Sequence, residues 1–322
     1  MRYRTLGRTG LEVSELGFGA WGIGGTAWIG ADDEESERAL RLAIEHGVTF
    51  LDTAYAYGDG HSEQLIGAAV RESPGTVYVA SKVPPKNWEW PARRGARADE
   101  IFPADWILAC TERSLQNLGL DAIDLQQLHV WSDDWVGQGD WLDGIERLKR
   151  DGKIRYFGVS INDHQPENAI RLVESGLVDV VQVIYNVFDQ SPEDALFPAV
   201  EAANVGVIVR VPFDEGALTG SVRPETTFPE GDFRNSYFGG DRKREVWERV
   251  QAITRDLDIE VNQLAETALR FCLSHPAVSV VIPGMRSTRN VERNVRAAAS
   301  GPLEEGQLAT LRRHRWVADL YR

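Results

Sequence analysis

Four titratable side chains stand at or just beyond the ends of short apolar runs in this sequence. Asp52 closes Phe50–Asp52, Lys82 closes Val77–Lys82, His129 closes Ile123–His129, and Tyr57 follows Asp52 by five residues. A lysine at the end of an apolar strand is expensive to bury alone, and a carboxylate on a neighbouring strand is placed to neutralise it. By itself the pair reads equally well as a buried ion pair that only fixes strand register. Tyr57 and His129 add chemistry. A phenol has a reference pKa near ~10 and an adjacent ammonium favours its phenolate, so Lys82 is expected to draw Tyr57 down toward working pH, ready to protonate a developing alkoxide. His129, as a neutral donor, could hold a carbonyl oxygen. Alone, the tyrosine would read as packing and the histidine as a satisfied strand end; the coincidence of all four points to acid–base work.

The elements that must position these groups follow from the hydrophobic pattern. Short β-branched or apolar runs alternate with helix-period segments, which predicts parallel strands joined by helical crossovers. The expected strands are Leu16–Phe18, Phe50–Asp52, Val77–Lys82, Ile123–His129, Tyr156–Ser160, Val180–Tyr185, Val207–Val211 and Val278–Pro283. The first crossover helix has Asp32 as its cap and Gly47 at its end; a later one carries Ile107, Leu108, Thr111, Leu115 and Leu118 on one stripe before Gly119, and another runs from Pro166 to Gly176. Eight such units with no linker favour a closed (β/α)8 barrel, a single domain over residues 1–322, because closure leaves no sheet edge unprotected. Arg4–Leu6 and Leu11–Ser14, split by Gly7–Gly10, predict a hairpin plugging the barrel bottom. Two further helical patterns, Asn262–Ser274 and Glu304–Leu320, fall outside the simple repeat. The long connections Val83–Phe102 and Pro212–Gly240 are too aromatic for disorder and read as lids over the C-terminal ends of the strands, where barrels place their chemistry.

Bulk properties exclude several classes. A net charge of −14 repels nucleic-acid phosphates and anionic membranes. The two cysteines, Cys110 and Cys272, lack metal or disulfide spacing, and no apolar run approaches the ~20 residues of a membrane span, so neither a metal nor a membrane is expected and a reducing cytoplasm is the expected compartment.

Asp52-Thr53-Ala54-Tyr55-Ala56-Tyr57-Gly58, followed by Ser62-Glu63 and Ile66-Gly67, resembles the aldo-keto reductase signature D-T-A-x-x-Y-G…S-E-x-x-[IL]-G. Ala80-Ser81-Lys82, Leu128-His129, Gly158-Val159-Ser160, Gln182 to Asn186 and Ile282-Pro283-Gly284 follow in that family's order, over about residues 3–298. The resemblance implies a catalytic tetrad of Asp52, Tyr57, Lys82 and His129 and hydride transfer between NADP(H) and an aldehyde or ketone. A bacterial branch acting on sugar, polyol or small aldehyde carbonyls is suggested by Thr226-Thr227-Phe228-Pro229-Glu230-Gly231-Asp232.

Gly17-Phe18-Gly19-Ala20-Trp21-Gly22 matches a Rossmann GxGxxG. A Rossmann turn leads straight into a helix, however, whereas here Gly24, Gly25 and a further loop precede Asp32. In the reductase reading, Gly19, Ala20 and Trp21 border the nicotinamide beside Asp52, while Ser160 and Gln182 hold its carboxamide. Arg286 and Ser287, after Gly284, open the final barrel helix and suit a 2′-phosphate, hence NADP over NAD; Asn290 and Asn294 fall where family members contact the adenosine. Pro212, Phe213, Gly216, Leu218 and Gly220 resemble the family's P-L-x-x-G-x-L-T-G loop over the pyrophosphate, with Val211 leading into it. Phe213 departs modestly from that pattern. Arg210 stands where many members stack a tyrosine on the nicotinamide, and Ile161 where an asparagine is usual.

For the substrate, expected to be a small carbonyl molecule, Trp21, Tyr55, Trp88 and Trp131 are the candidate walls; Trp28, Trp88, Trp90 and Trp135 read at least as well as lid packing. A monomer and a homo-oligomer are both compatible with the pattern. Two rivals remain at this stage. A redox-sensing regulatory subunit would keep the tetrad but show an exposed apolar patch or a long extra segment, and none stands out. A Schiff-base aldolase would need Lys82 unpaired, which Asp52 argues against.

Overall fold

The computed structural model describes residues 1–26, 28–93 and 95–318. Strands β1 (Tyr3–Thr5) and β2 (Glu12–Ser14) pair antiparallel, with Tyr3 opposite Ser14. Eight parallel strands follow, each hydrogen-bonded to the next in chain order: β3 (Phe18–Gly19), β4 (Phe50–Asp52), β5 (Tyr78–Val83), β6 (Ile123–Leu128), β7 (Ile154–Ser160), β8 (Val180–Ile184), β9 (Gly206–Arg210) and β10 (Val280–Val281). The seam between β10 and β3 is closed by single bonds, Gly17 N to Val281 O at 2.8 Å and Gly19 N to Pro283 O at 3.1 Å. Close approach there requires glycine: a Cβ on Gly19 would lie 2.5 Å from the Ile282 carbonyl oxygen. The result is a closed (β/α)8 barrel with the expected N-terminal hairpin.

Period-two alternation decides what fills the barrel. Phe50, Ala80, Leu125, Val180, Ile208 and Val280 form an inner apolar cluster, and Leu6 and Val13 of the hairpin segment close it from below. Two residues further along the same strands come Asp52, Lys82, Gln127, Gln182, Arg210 and Ile282. A mostly polar layer therefore sits directly above an apolar one. The odd-out residues, such as Leu51, Val79 and Val181, pack outward in the larger cluster shared with the helices.

The helices form for the expected reasons. Asp32 caps Asp33–Glu45 by accepting from the Glu35 N–H at 2.8 Å, and Gly47 at φ 86° ends the turn. Ile107, Thr111, Leu115 and Leu118 are buried on Ala104–Leu118. Three expectations need correction. The predicted helix from Pro166 begins as a 3-10 turn, Pro166–Ala169, and only Ile170–Ser175 is α-helical, because Asn168 leaves helical geometry. The predicted strand Val278–Pro283 keeps only two ladder residues because its backbone divides its bonds, Ile282 N reaching Val209 O and Val281 N reaching Glu15 O. The pattern at Asn262–Ser274 folds as Leu264–Ser274 between β9 and β10 and packs on β10, so it is a barrel helix; Arg242–Leu257, unread in the sequence, is the additional one. The last helix spans Glu305–Arg312, and Leu320, where the predicted pattern ended, lies outside the described residues. Among the described residues no helix is long and apolar enough to cross a membrane, and no cluster of His, Cys, Asp or Glu could hold a metal ion.

Candidate active site

The polar layer at the top of the barrel is bonded through the Asp52 carboxylate. Lys82, fully buried at the end of β5, donates from Nζ to Asp52 Oδ1 at 2.5 Å, to the Thr53 carbonyl at 2.8 Å and to the phenolic oxygen of Tyr57 at 3.3 Å. On the other carboxylate oxygen, Oδ2, Asp52 accepts from Gln182 Nε2 at 2.8 Å and from Gln127 Nε2 at 3.2 Å. Burial pulls the Lys82 pKa down, but the charges of Asp52 and Tyr57 outweigh it and the net shift is upward, so the ammonium is held charged.

Tyr57 behaves differently from the expectation. Burial, aided by the Asp52 charge, pushes its phenol above 10 despite the pull of Lys82. The group is therefore kept protonated. His129 lies with its ring edge-on to Tyr57, 5.6 Å between centroids, and burial together with the Lys82 and Arg210 charges keeps its pKa well below 6.5. Its imidazole is neutral. His129 Nδ1 is buried and makes no hydrogen bond to any described residue.

Residues expected at the nicotinamide converge on this layer. Gly19 and Ala20 run beside β4, with Ala20 N bonded to Asp52 O at 2.9 Å, and the Trp21 ring is 6.4 Å from Tyr57. Ser160 pairs in register with Gln182. Gln182 is the expected carboxamide holder, and its amide nitrogen donates to Asp52, so it also anchors the Asp52–Lys82–Tyr57 cluster. Arg210 donates to Ile161 O at 3.0 Å and to Asp163 Oδ1 at 2.6 Å. After it, Val211, Asp214, Glu215 and Gly216 all have positive φ, a rare conformation for a β-branched residue such as Val211, whose carbonyl is fixed by Asn186 Nδ2. This turn carries Pro212 and Phe213, and Leu218 N returns to Phe213 O at 3.0 Å. Gly220 closes it where a Cβ would strike Val261.

At the far end, Gly284 bridges to Gly19, and Arg286, Ser287 and Asn290 line a cavity of ≈ 380 Å³ with Arg289, Gly30, Ala31, Asp32 and Glu35. Ser287 caps the helix Thr288–Ala299 by accepting from Asn290 N. Asn294, one turn on, is buried, and its Nδ2 has no partner among the described residues. The volume is within the ~300–1,000 Å³ usual for ligand pockets, and two guanidiniums at a helix N-terminus suit a phosphate. The donor set fits a phosphorylated dinucleotide.

The Pro212–Gly240 connection meets the loop that follows β3 beside this cleft. Arg234 stacks on Trp28 at 4.1 Å and pairs with Asp232, which also accepts from Ile29 N, while Arg286 donates to Ile29 O. Sequence reasoning missed this clasp, as it missed Arg289 and Gln127. Gln127 could have been noticed as a polar residue inside an apolar strand.

One substrate assignment is wrong. Trp131 is 0% exposed, packed edge-on between Trp135 at 5.6 Å and Trp141 at 5.1 Å, with its Nε1 donated to Asp133. It is core. Tyr55 and Trp88 do stand at the mouth, 6.4 Å apart, and Trp90 joins them, 5.5 Å from the His129 ring.

Comparison with known proteins gives one consistent result. A model described as the aldo/keto reductase family matches residues 15–315. The aldo-keto reductase YhdN of Bacillus subtilis is 30% identical over 304 residues, covering 91% of this chain and 87% of that protein. Among solved structures, the holo form of aldo-keto reductase AKR11C1 from Bacillus halodurans superposes with a TM-score of 0.76 at 27% identity, covering 100% of each chain. The glycerol dehydrogenase AKR11B4 from Gluconobacter oxydans gives 0.75 at 26% identity, covering 94% of this chain and 92% of that one.

Proposed function

The chain belongs to the aldo/keto reductase family, and from that premise we propose that it is an NADP(H)-dependent oxidoreductase, one domain over residues 1–322, that reduces aldehydes or ketones and oxidises the corresponding alcohols. The reading rests on one relationship: the buried Lys82 ammonium bonds both the Asp52 carboxylate and the Tyr57 phenol.

When bound, the nicotinamide supplies the hydride that reaches the carbonyl carbon. Tyr57 gives its phenolic proton to the carbonyl oxygen as the C=O double bond becomes a C–O single bond. The phenolate left behind is stabilised by Lys82, and Asp52 keeps Lys82 charged and aimed. His129, neutral, donates to the same oxygen and orients it. Gln182 and Gln127 fix the Asp52 carboxylate from the opposite side. Gly19, Ala20, Trp21, Ser160, Gln182 and Arg210 would hold the nicotinamide end. Val211 to Gly220 would cover the pyrophosphate, and Gly284, Arg286, Ser287, Asn290 and Asn294 would hold the phosphorylated adenosine, joined by Arg289. The resemblance of the lid sequence to a sugar and polyol branch, and the glycerol dehydrogenase among the relatives, support small carbonyl substrates.

Oxidation of NADPH followed by loss of its absorbance, with a panel of small aldehydes and ketones, tests the reading. Carbonyl-dependent NADPH consumption is expected; an enzyme that binds NADPH yet consumes it with no carbonyl compound would contradict it.

A further inference from the structure

The cavity that suits the phosphorylated end of the dinucleotide is lined by two guanidiniums, Arg286 and Arg289, but also by two carboxylates, Asp32 and Glu35. Both carboxylates stand at the start of the helix Asp33–Glu45, which packs against Thr288–Ala299. A pocket that only had to hold a dianion would have no use for them, because a carboxylate and a phosphate repel each other in a confined site.

Glu35 is fixed by four bonds. Its Oε1 accepts from the Thr288 backbone N–H at 2.8 Å and from the Thr288 hydroxyl at 2.9 Å, while its Oε2 accepts from Arg38 Nε at 3.1 Å and Arg38 Nη2 at 3.0 Å. Thr288 is the first residue of its helix, where backbone N–H groups are ready donors to an anion. Glu35 therefore covers, with a negative charge of its own, a donor that an incoming phosphate could otherwise take. The bonds from Thr288, followed by those from Arg38, hold its pKa below the ordinary carboxylate value, so the charge persists at working pH. Asp32 sets where Glu35 stands, by accepting from its N–H at 2.8 Å. A mere clamp between the two helices would need an acceptor at this place but no charge.

We propose that Glu35 is a specificity-determining residue that acts against the 2′-phosphate: its charge offsets Arg286 and Arg289 and limits how strongly the site prefers NADPH over NADH. This rests on the cofactor reading above and narrows it. The 2′-hydroxyl of NADH brings no charge into the pocket, so its binding is nearly indifferent to Glu35.

Glu35→Gln keeps an acceptor for Thr288 and removes the charge, whereas Glu35→Ala removes both. NADPH and NADH are titrated by fluorescence into the unmodified protein and each variant at low ionic strength. Glu35→Gln is expected to bind NADPH about five- to tenfold more tightly and to change NADH by less than about twofold, with the NADPH gain shrinking as salt is raised to about 0.5 M. If Glu35 is only a clamp, Glu35→Gln leaves both affinities unchanged and Glu35→Ala weakens the two alike, which would overturn the proposal. Equal tightening of both cofactors by Glu35→Gln would overturn it as well. If the unmodified protein binds neither dinucleotide, the cofactor reading fails and the role of Glu35 fails with it; NADPH binding that Glu35→Gln does not alter removes the role of Glu35 alone.

Discussion

The ammonium of Lys82 stands 3.3 Å from the phenolic oxygen of Tyr57 and also bonds the Asp52 carboxylate. One buried cation thus serves two partners, and its charge is set by the first while its chemistry is directed at the second. Burial nevertheless keeps the phenol above its ordinary 10, and His129 stays neutral because its pKa lies well below 6.5.

These directions predict the pH dependence of reduction. With Tyr57 as the proposed proton donor, the active form carries its phenolic proton, so kcat/KM is expected to fall only as pH rises through the Tyr57 pKa, raised above its ordinary 10. His129 is neutral throughout and adds no inflection in the ordinary histidine range. A kcat/KM profile from pH 5.5 to 10.5 should be level until its alkaline limb. A limb centred near 6.5 would show that the imidazole titrates in the working enzyme.

Arg286 is predicted to select NADPH. Its guanidinium lines the cavity at the N-terminus of Thr288–Ala299, where a 2′-phosphate would gain a charge-assisted contact. Arg286→Ala should weaken NADPH about 10- to 100-fold and NADH little, measured by fluorescence titration. Because Arg286 also donates to Ile29 O, a structural role alone would weaken both cofactors equally, and that result would remove Arg286 as the selector.

Asp214 gives a stability prediction with a defined sign. Its carboxyl is buried, and burial pushes its pKa up to about 6, against a bond from Tyr237 that lowers it. Between about pH 4 and 6 the folded protein keeps a proton that the unfolded chain has released, so stability declines as pH rises through that window. Asp214→Asn keeps an acceptor for Tyr237 and tolerates the positive φ. It should raise unfolding free energy at pH 7.5 by an amount on the order of 2 kcal/mol, and by nearly nothing at pH 4. Equal gains at both pH values, in chemical denaturation, would show that the carboxylate charge is not the cause.

Much of the barrel was legible because period-two strands and capped helices are local signals. Phe50–Asp52 has the predicted bounds, and Asp52 and Lys82 fall at strand ends as expected, with His129 just past the end of β6. The seam was less legible. The Leu16–Phe18 and Val278–Pro283 runs read as full strands, but closure draws on bonds from both sides and leaves β3 and β10 with two residues each. Trp131 illustrates a second limit: it follows a strand end, as a substrate wall would, yet Trp135 and Trp141 fold back over it. The direction of the Tyr57 pKa required the degree of burial, which no spacing encodes. The clasp of Trp28, Asp232 and Arg234 joins segments some two hundred residues apart, and no local pattern couples them.

The most direct measurement is made on Tyr57→Phe, which removes only the phenolic oxygen bonded by Lys82. Carbonyl reduction should fall by at least about 10²–10⁴, while NADPH titrates with nearly unchanged affinity because Arg286, Ser287 and the turn after Arg210 are untouched. Turnover close to that of the unmodified enzyme would contradict Tyr57 as the proton source.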